Sequence, residues 1–126
     1  MNAVTDASAK VAVLVVDDSY DQRMLLLAYF ERAGCDVTIA GTAEEALVAC
    51  STHTPELVVI DLVLPGMDGW QLAQRIHSAL PDVPLAITSV LDEDRYPAGH
   101  AALPKPFTGA QVRRVLQDAV PRWSAA

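Results

Sequence analysis

Short apolar runs alternate with helix-patterned segments along this chain, and that alternation is what most limits the folds open to it. Val11 to Val16 and Leu57 to Ile60 are too short and too uniformly apolar for amphipathic helices. Runs of this kind are strands buried on both faces, as in a parallel sheet. Parallel neighbours need long crossovers, usually helices, so the pattern predicts βαβ units in a doubly wound α/β sheet of five parallel strands.

The elements follow from the same reading. Strand one is Val11 to Val16. Helix one is Ser19 to Ala33, capped by Asp18 or Ser19 and stopped by Gly34, with Met24, Leu25, Ala28 and Phe30 to Glu31 as its buried-to-exposed stripe. Strand two is Asp36 to Ala40. Thr42 caps a helix from Ala43 to about Thr52, with Glu45 completing a capping box, and Pro55 ends that connection. Strand three is Leu57 to Asp61, helix three Trp70 to Ala79, strand four Pro84 to Ser89, strand five Ala101 to Pro104, and the last helix Thr108 to Val120 with Trp123 at its end. Between strands four and five, Val90 to His100 is barely long enough for a parallel crossover and contains Pro97 and Gly99. One turn over Asp92 to Arg95 is expected there, and otherwise an irregular, mobile segment.

The chain has 126 residues, enough for one domain and its core. A net charge of -7 argues against a nucleic-acid surface, which needs clustered lysine and arginine. Residues 1–10 read as an N-terminal extension, 11–121 as the domain and 122–126 as a C-terminal tail. The extension has neither the basic start nor the apolar middle of a signal peptide, and the apolar runs are too short to span a bilayer. A cytoplasmic location without membrane contact is the expectation. Cys35 and Cys50 lack C-x-x-C spacing and are expected to stay reduced. His53, His77 and His100 lack zinc-ligand spacing and read as surface residues.

The chemistry lies at the strand ends. Asp17 and Asp18 directly follow strand one, and Asp61 closes strand three. Ligands of open α/β sheets bind at the carboxyl ends of the strands, so these acids converge on one anionic pocket. Like charges at such range raise one another's pKa, and a hard divalent cation with oxygen ligands, Mg2+, relieves them. Lys105, in Pro104-Lys105-Pro106-Phe107, supplies the balancing positive charge. Gly66 and Gly69 allow the loop after Asp61 to turn back tightly.

In order, an acidic pair after strand one, Asp61 followed by Leu62-Val63-Leu64-Pro65-Gly66-Met67-Asp68-Gly69, a hydroxyl residue after strand four and Lys-Pro-Phe after strand five resemble the receiver domains of two-component response regulators. The resemblance covers nearly the whole chain. It implies flavodoxin-like strand order 2-1-3-4-5, here with a shortened or irregular fourth helix. It implies that Asp61 is the phosphoacceptor, Asp18 a direct Mg2+ ligand, Asp17 a ligand through water or a positioner of Asp18, and the Val63 carbonyl a further ligand. Lys105 would sit beside the phosphoryl oxygens, aimed by a cis bond to Pro106. The donor would be a sensor histidine kinase or a histidine phosphotransfer protein, and an output protein would read the change. Thr88 and Ser89 are adjacent, and strand alternation lets only one reach the pocket. The resemblance favours Ser89.

Two departures stand out. Receivers of this kind prefer a small residue where Val90 stands, so access to the pocket should be narrower. They also place an aromatic in strand five where this chain has Ala102. Tyr96 could substitute from the crossover, although it reads as a surface tyrosine. The leading expectation is thus a phosphoacceptor switch that turns over no separate substrate. The alternative is a phosphorylation-independent interaction module. An aspartyl-phosphate phosphatase would carry a second acid two residues after its nucleophile, where this chain has Val63.

Overall fold

The computed structural model describes residues 10–97 and 100–124. Nearly all of the expected N-terminal extension, and Gly99, lie outside the described residues. Five parallel strands form one sheet in the order β2-β1-β3-β4-β5. They are β1 (Ala12–Val16), β2 (Asp36–Ala40), β3 (Leu57–Asp61), β4 (Leu85–Thr88) and β5 (Ala101–Ala102). The helices are α1 (Tyr20–Arg32), α2 (Ala43–Thr52), α3 (Gly69–Ala79) and α4 (Gly109–Ala119). This is the doubly wound, flavodoxin-like order expected from the alternation and the resemblance.

All five residues of β3 are buried, as a strand covered on both faces must be. Alternation then divides the core. Val13, Val15, Leu57, Val59 and Ala86 pack with α1 and α4 on one face, around Leu26, Phe30, Val112 and Leu116. Leu14, Val16, Val58, Ile60, Leu85 and Ile87 pack with α2 and α3 on the other, around Ala46, Leu72 and Ile76. A fully buried Leu or Phe contributes roughly 1.5–3 kcal/mol of transfer free energy, so these two layers hold the strand ends in fixed register.

Local details of α1 and α2 differ from the sequence expectation. The buried residues of α1 are Leu26 and Phe30, whereas Leu25 is 40% exposed and Met24 and Ala28 are only half-buried. The run Met24-Leu25-Leu26-Leu27-Ala28 offers several apolar faces, and packing on the sheet and α4 selects one. Thr42 caps α2 as expected, but Glu45 Oε1 accepts from the N–H of Gly41, not of Thr42, so the capping box is not closed. Complete boxes do form at α3, with Asp68 and Gln71, and at α4, with Thr108 and Gln111.

Among the described residues of the last crossover, the regular structure is a single 3₁₀ turn at Glu93–Arg95. The irregular segment foreseen from Pro97 is therefore present, but it is tied down. The Trp70 indole N–H donates to Arg95 O (3.0 Å), and the Tyr96 hydroxyl donates to Ser89 O (3.0 Å) while its ring packs on the α2/α3 side of the core. Tyr96 is half-buried, which corrects its reading as a surface tyrosine. His53 and His77 are exposed, but His100 is half-buried and sits edge-on to His77.

Beyond α4 the chain stays on the fold. Arg122 donates to both carboxylate oxygens of Glu56 (2.6 and 2.7 Å) and to Lys10 O (3.1 Å), and Trp123 Nε1 donates to Ala33 O (2.9 Å). Both cysteines are free thiols. No helix among the described residues is long and apolar enough to cross a membrane.

Candidate functional site

β1 and β3 are in register at Val16 and Ile60, so the residues that follow, Asp17 and Asp61, emerge side by side at the carboxyl end of the sheet. Asp17 is completely buried and heavily tethered. Its N–H donates to Ala40 O (3.1 Å), its Oδ1 accepts from Ser19 N–H (2.9 Å), and its carbonyl accepts from Arg23 Nη1 (3.0 Å). Asp61 is 5% exposed, and its Oδ1 accepts from the N–H of Val63 (3.0 Å). Asp18 is exposed.

Lys105 comes from the far end of the sequence. Its Nζ lies 3.1 Å from Asp17 Oδ2 and 3.0 Å from Asp61 Oδ2, so one ammonium bridges two carboxylates. Its N–H donates to Ser89 O (2.9 Å), and the Lys105-Pro106 bond is cis, the form the resemblance implied. A charge this buried is costly unless paired, and pairing here is mutual. Burial works against the Lys105 charge, but the hydrogen bond to Asp61 and the charges of Asp17 and Asp61 outweigh it and raise its pKa. Burial also dominates at Asp17 and lifts its carboxyl above the usual range, despite the Ser19 N–H and Lys105.

The remaining arrangement leaves three acids to one lysine. Oxygens of Asp17, Asp18 and Asp61 all lie within 4.8 Å of one another. Ligands on opposite sides of an octahedral Mg2+ at 2.0–2.1 Å are roughly 4.2 Å apart, so small side-chain adjustments would let these oxygens share one ion. An all-oxygen, net-negative donor set suits Mg2+ and does not suit softer metals. Val63, expected to offer its carbonyl, meets Asp61 through its N–H.

The loop after β3 shapes the pocket floor. Gly66 has φ +71°, a left-handed conformation that disfavours a side chain. Gly69 packs so closely on Asp61 O and Leu62 Cα that a β-carbon would overlap them. Its N–H donates to Leu62 O (2.9 Å), which folds α3 back under Asp61.

Thr88 and Ser89 are both buried. β4 ends at Thr88, so strict alternation no longer governs Ser89, which lies beyond the strand. Ser89 Oγ accepts from Leu91 N–H (3.2 Å) and keeps its own proton for another acceptor. Its carbonyl is a junction that receives both Lys105 N–H and Tyr96 O–H. Thr88 is the register partner of Asp61, and its Oγ1 is buried with no hydrogen-bond partner. Reading from sequence named Gly69 only for its tight turn and Tyr96 only as a surface tyrosine that could substitute from the crossover; it gave neither the close packing of Gly69 on Asp61 O nor the Tyr96 bond to Ser89 O. Tyr96 carries no periodic signal, while the clash at Gly69 depends on how closely α3 approaches β3.

The family model of the response regulator receiver domain matches residues 13–117. An uncharacterized 14.6 kDa protein of Leptolyngbya boryana is 35% identical over 119 residues, covering 87% of this chain and 90% of that protein. The alkaline phosphatase synthesis transcriptional regulatory protein PhoP of Bacillus subtilis is 35% identical over 82 residues, 65% of this chain but 34% of that regulator. The chain therefore spans only about a third of that regulator's length. Among solved structures, the receiver domain of NtrX from Brucella abortus is similar with a TM-score of 0.78 at 28% identity, covering 86% of this chain and 98% of that one. The receiver domain of Francisella response regulator 1452 gives 0.80 at 28%, covering 90% and 99%.

Proposed function

Because the chain belongs to the response regulator receiver family, we propose that it is a Mg2+-dependent phosphoacceptor whose Asp61 takes a phosphoryl group from a phosphorylated histidine. The carrying observation is the pair of contacts from Lys105 Nζ to Asp61 and Asp17, with Asp18 close enough to share a cation. An Asp61 carboxylate oxygen attacks phosphorus, the new O–P bond forms as the P–N bond breaks, and the bonding pair returns to the imidazole nitrogen. Asp17, Asp18 and Asp61, with the Val63 carbonyl, would hold Mg2+. Bound there, the ion neutralises charge on the transferring phosphoryl oxygens.

This chain's own residues supply the rest. Lys105 is already desolvated and aimed at Asp61, so its attraction for phosphoryl oxygens is prepaid in folding energy. Val63 N–H fixes the Asp61 rotamer. Ser89 would donate its free hydroxyl proton to the phosphoryl group. Any shift of Ser89 toward the pocket would pull on Tyr96 and, through the adjoining turn, on Trp70. That route replaces the strand-five aromatic missing at Ala102. Val63, Val90, Trp70 and Tyr20 expose apolar surface and lie next to the strand ends that carry the acids or just beyond them, offering a rim for the donor. We take residues 11–121 as the receiver unit and place it in the cytoplasm, with a sensor kinase or phosphotransfer protein as donor and an output protein as reader. It turns over no separate substrate.

The alternative, a constitutive interaction module, draws on Ala102 and the two-residue pairing of β5. Incubation with acetyl phosphate, with and without Mg2+, decides between them. A Mg2+-dependent mass gain of one phosphoryl group, lost in Asp61→Asn, supports the acceptor. Its absence leaves the module.

A further inference from the structure

The Thr88 hydroxyl is fully buried, and its Oγ1 is the one buried side-chain polar atom without a hydrogen-bond partner among the described residues. Leaving such a group unpaired is unfavourable, and an apolar side chain of the same shape would avoid the penalty. Such groups are rare enough that each needs a cause.

Its location supplies one. Thr88 pairs in register with Asp61 across β3 and β4, and Leu62 N–H donates to Thr88 O (3.3 Å), so the two strands stay paired to their last residues. In-register residues of neighbouring parallel strands point to the same side of the sheet, with backbones about 4.8 Å apart. Asp61 Oδ1 and Oδ2 are already engaged by Val63 N–H and Lys105 Nζ. Phosphorylation would alter that balance. It adds charged oxygens to Asp61 and draws on the Lys105 ammonium, creating new demand for donors where Thr88 holds an unused one.

We propose that Thr88 is a second hydroxyl of the site, a positioning residue that gains a hydrogen bond from its Oγ1 to the Asp61 group only when that group carries a phosphoryl. The proposal rests on the acyl-phosphate reading above but is separable from it. Ser89, past the strand end, approaches the phosphoryl from the loop, whereas Thr88 acts from within the sheet. The unpaired hydroxyl penalises the empty state and is relieved in the loaded one, which biases the switch toward loading.

Beryllofluoride with Mg2+, titrated against the full chain and followed by Trp70 and Trp123 fluorescence or by calorimetry, tests this together with thermal melts in chelator. Thr88→Val, of the same shape without the hydroxyl, should melt no lower than wild type in chelator yet bind beryllofluoride about tenfold more weakly, the size of one lost bond to a charged acceptor. Thr88→Ser should restore most of the affinity. If Thr88→Val packs poorly, the same contrast holds between Thr88→Ala and Thr88→Ser, because only the hydroxyl-bearing variant should bind as wild type does. Equal beryllofluoride affinity with and without the hydroxyl overturns the role of Thr88 and leaves Asp61 untouched. A wild type that binds no beryllofluoride removes the acyl-phosphate reading and this inference with it.

Discussion

The two halves of the sheet are built to different standards. At β1 and β3, four register pairs carry the strands up to Asp17 and Asp61, each buried and each bonded to Lys105. At β4 and β5 the ladder is two pairs long, the regular structure among the described residues of the crossover is one 3₁₀ turn, and Ala102 stands where the resemblance leads one to expect an aromatic. Both departures from the receiver pattern noted in the sequence, Val90 and Ala102, fall in the second half. The contrast teaches that the phosphoacceptor chemistry needs fixed charges on rigid strands, while the relay outward needs only some contact that shifts. On the proposed reading, Tyr96 and Trp70 would supply that contact through their bonds to backbone carbonyls, which any residue could offer.

The strongest way to break the comparison is at Asp61. Asp61→Asn should reduce acetyl-phosphate labelling to background, and in chelator it should melt no lower than wild type, because it relieves repulsion among three acids served by one lysine. Retained acid-labile phosphate on this variant would move the nucleophile elsewhere. Gly69→Ala tests the same half through its backbone. A β-carbon overlapping Asp61 O and Leu62 Cα should destabilise the fold by about 1–3 kcal/mol and depress labelling, read by denaturant melts and by the labelling rate.

Metal binding comes next in size. Saturating Mg2+ at a hundredfold above its Kd should stabilise wild type by ~2.7 kcal/mol, and Asp18→Ala should erase most of that gain. An equal response in both proteins would take Asp18 out of the site.

On the other side of the molecule, Tyr96→Phe removes one hydrogen bond to Ser89 O and should cost about 1 kcal/mol, with faster amide exchange from Leu91 to Tyr96 and little change in labelling. A large fall in labelling would show that the two halves are not separable. Smallest is the clasp between Glu56 and Arg122. The Arg122 hydrogen bond is the leading influence that lowers the Glu56 pKa below 4.5. A depressed carboxylate stabilises the fold above its unfolded pKa and loses that contribution as pH falls through the folded value. Glu56→Gln should therefore flatten the acid side of the stability curve below about pH 4.5, by well under 1 kcal/mol because the pair is partly exposed.

Much of this was legible because the signals were local. Val11 to Val16 and Leu57 to Ile60 announced buried strands by composition, and Asp17, Asp18, Asp61 and Lys105 stood where strand ends meet. Ser19 and Thr42, both foreseen as caps, each accept the capping hydrogen bond at a helix start. The buried stripe of α1 was misread at Leu25 because five consecutive apolar residues carry no phase of their own.

What the sequence determined by itself was the order of strands and helices and the chemical identity of the pocket, since periodicity and charge are properties of neighbouring residues. Only the tertiary structure decided that Lys105 bridges Asp17 and Asp61, that Arg122 clasps Glu56 from 66 residues away, that Tyr96 reaches Ser89, and that the Thr88 hydroxyl is shut in unpaired beside Asp61. Those facts depend on distances between segments remote in sequence, and such distances are set by how two core layers pack on one sheet, not by any local pattern.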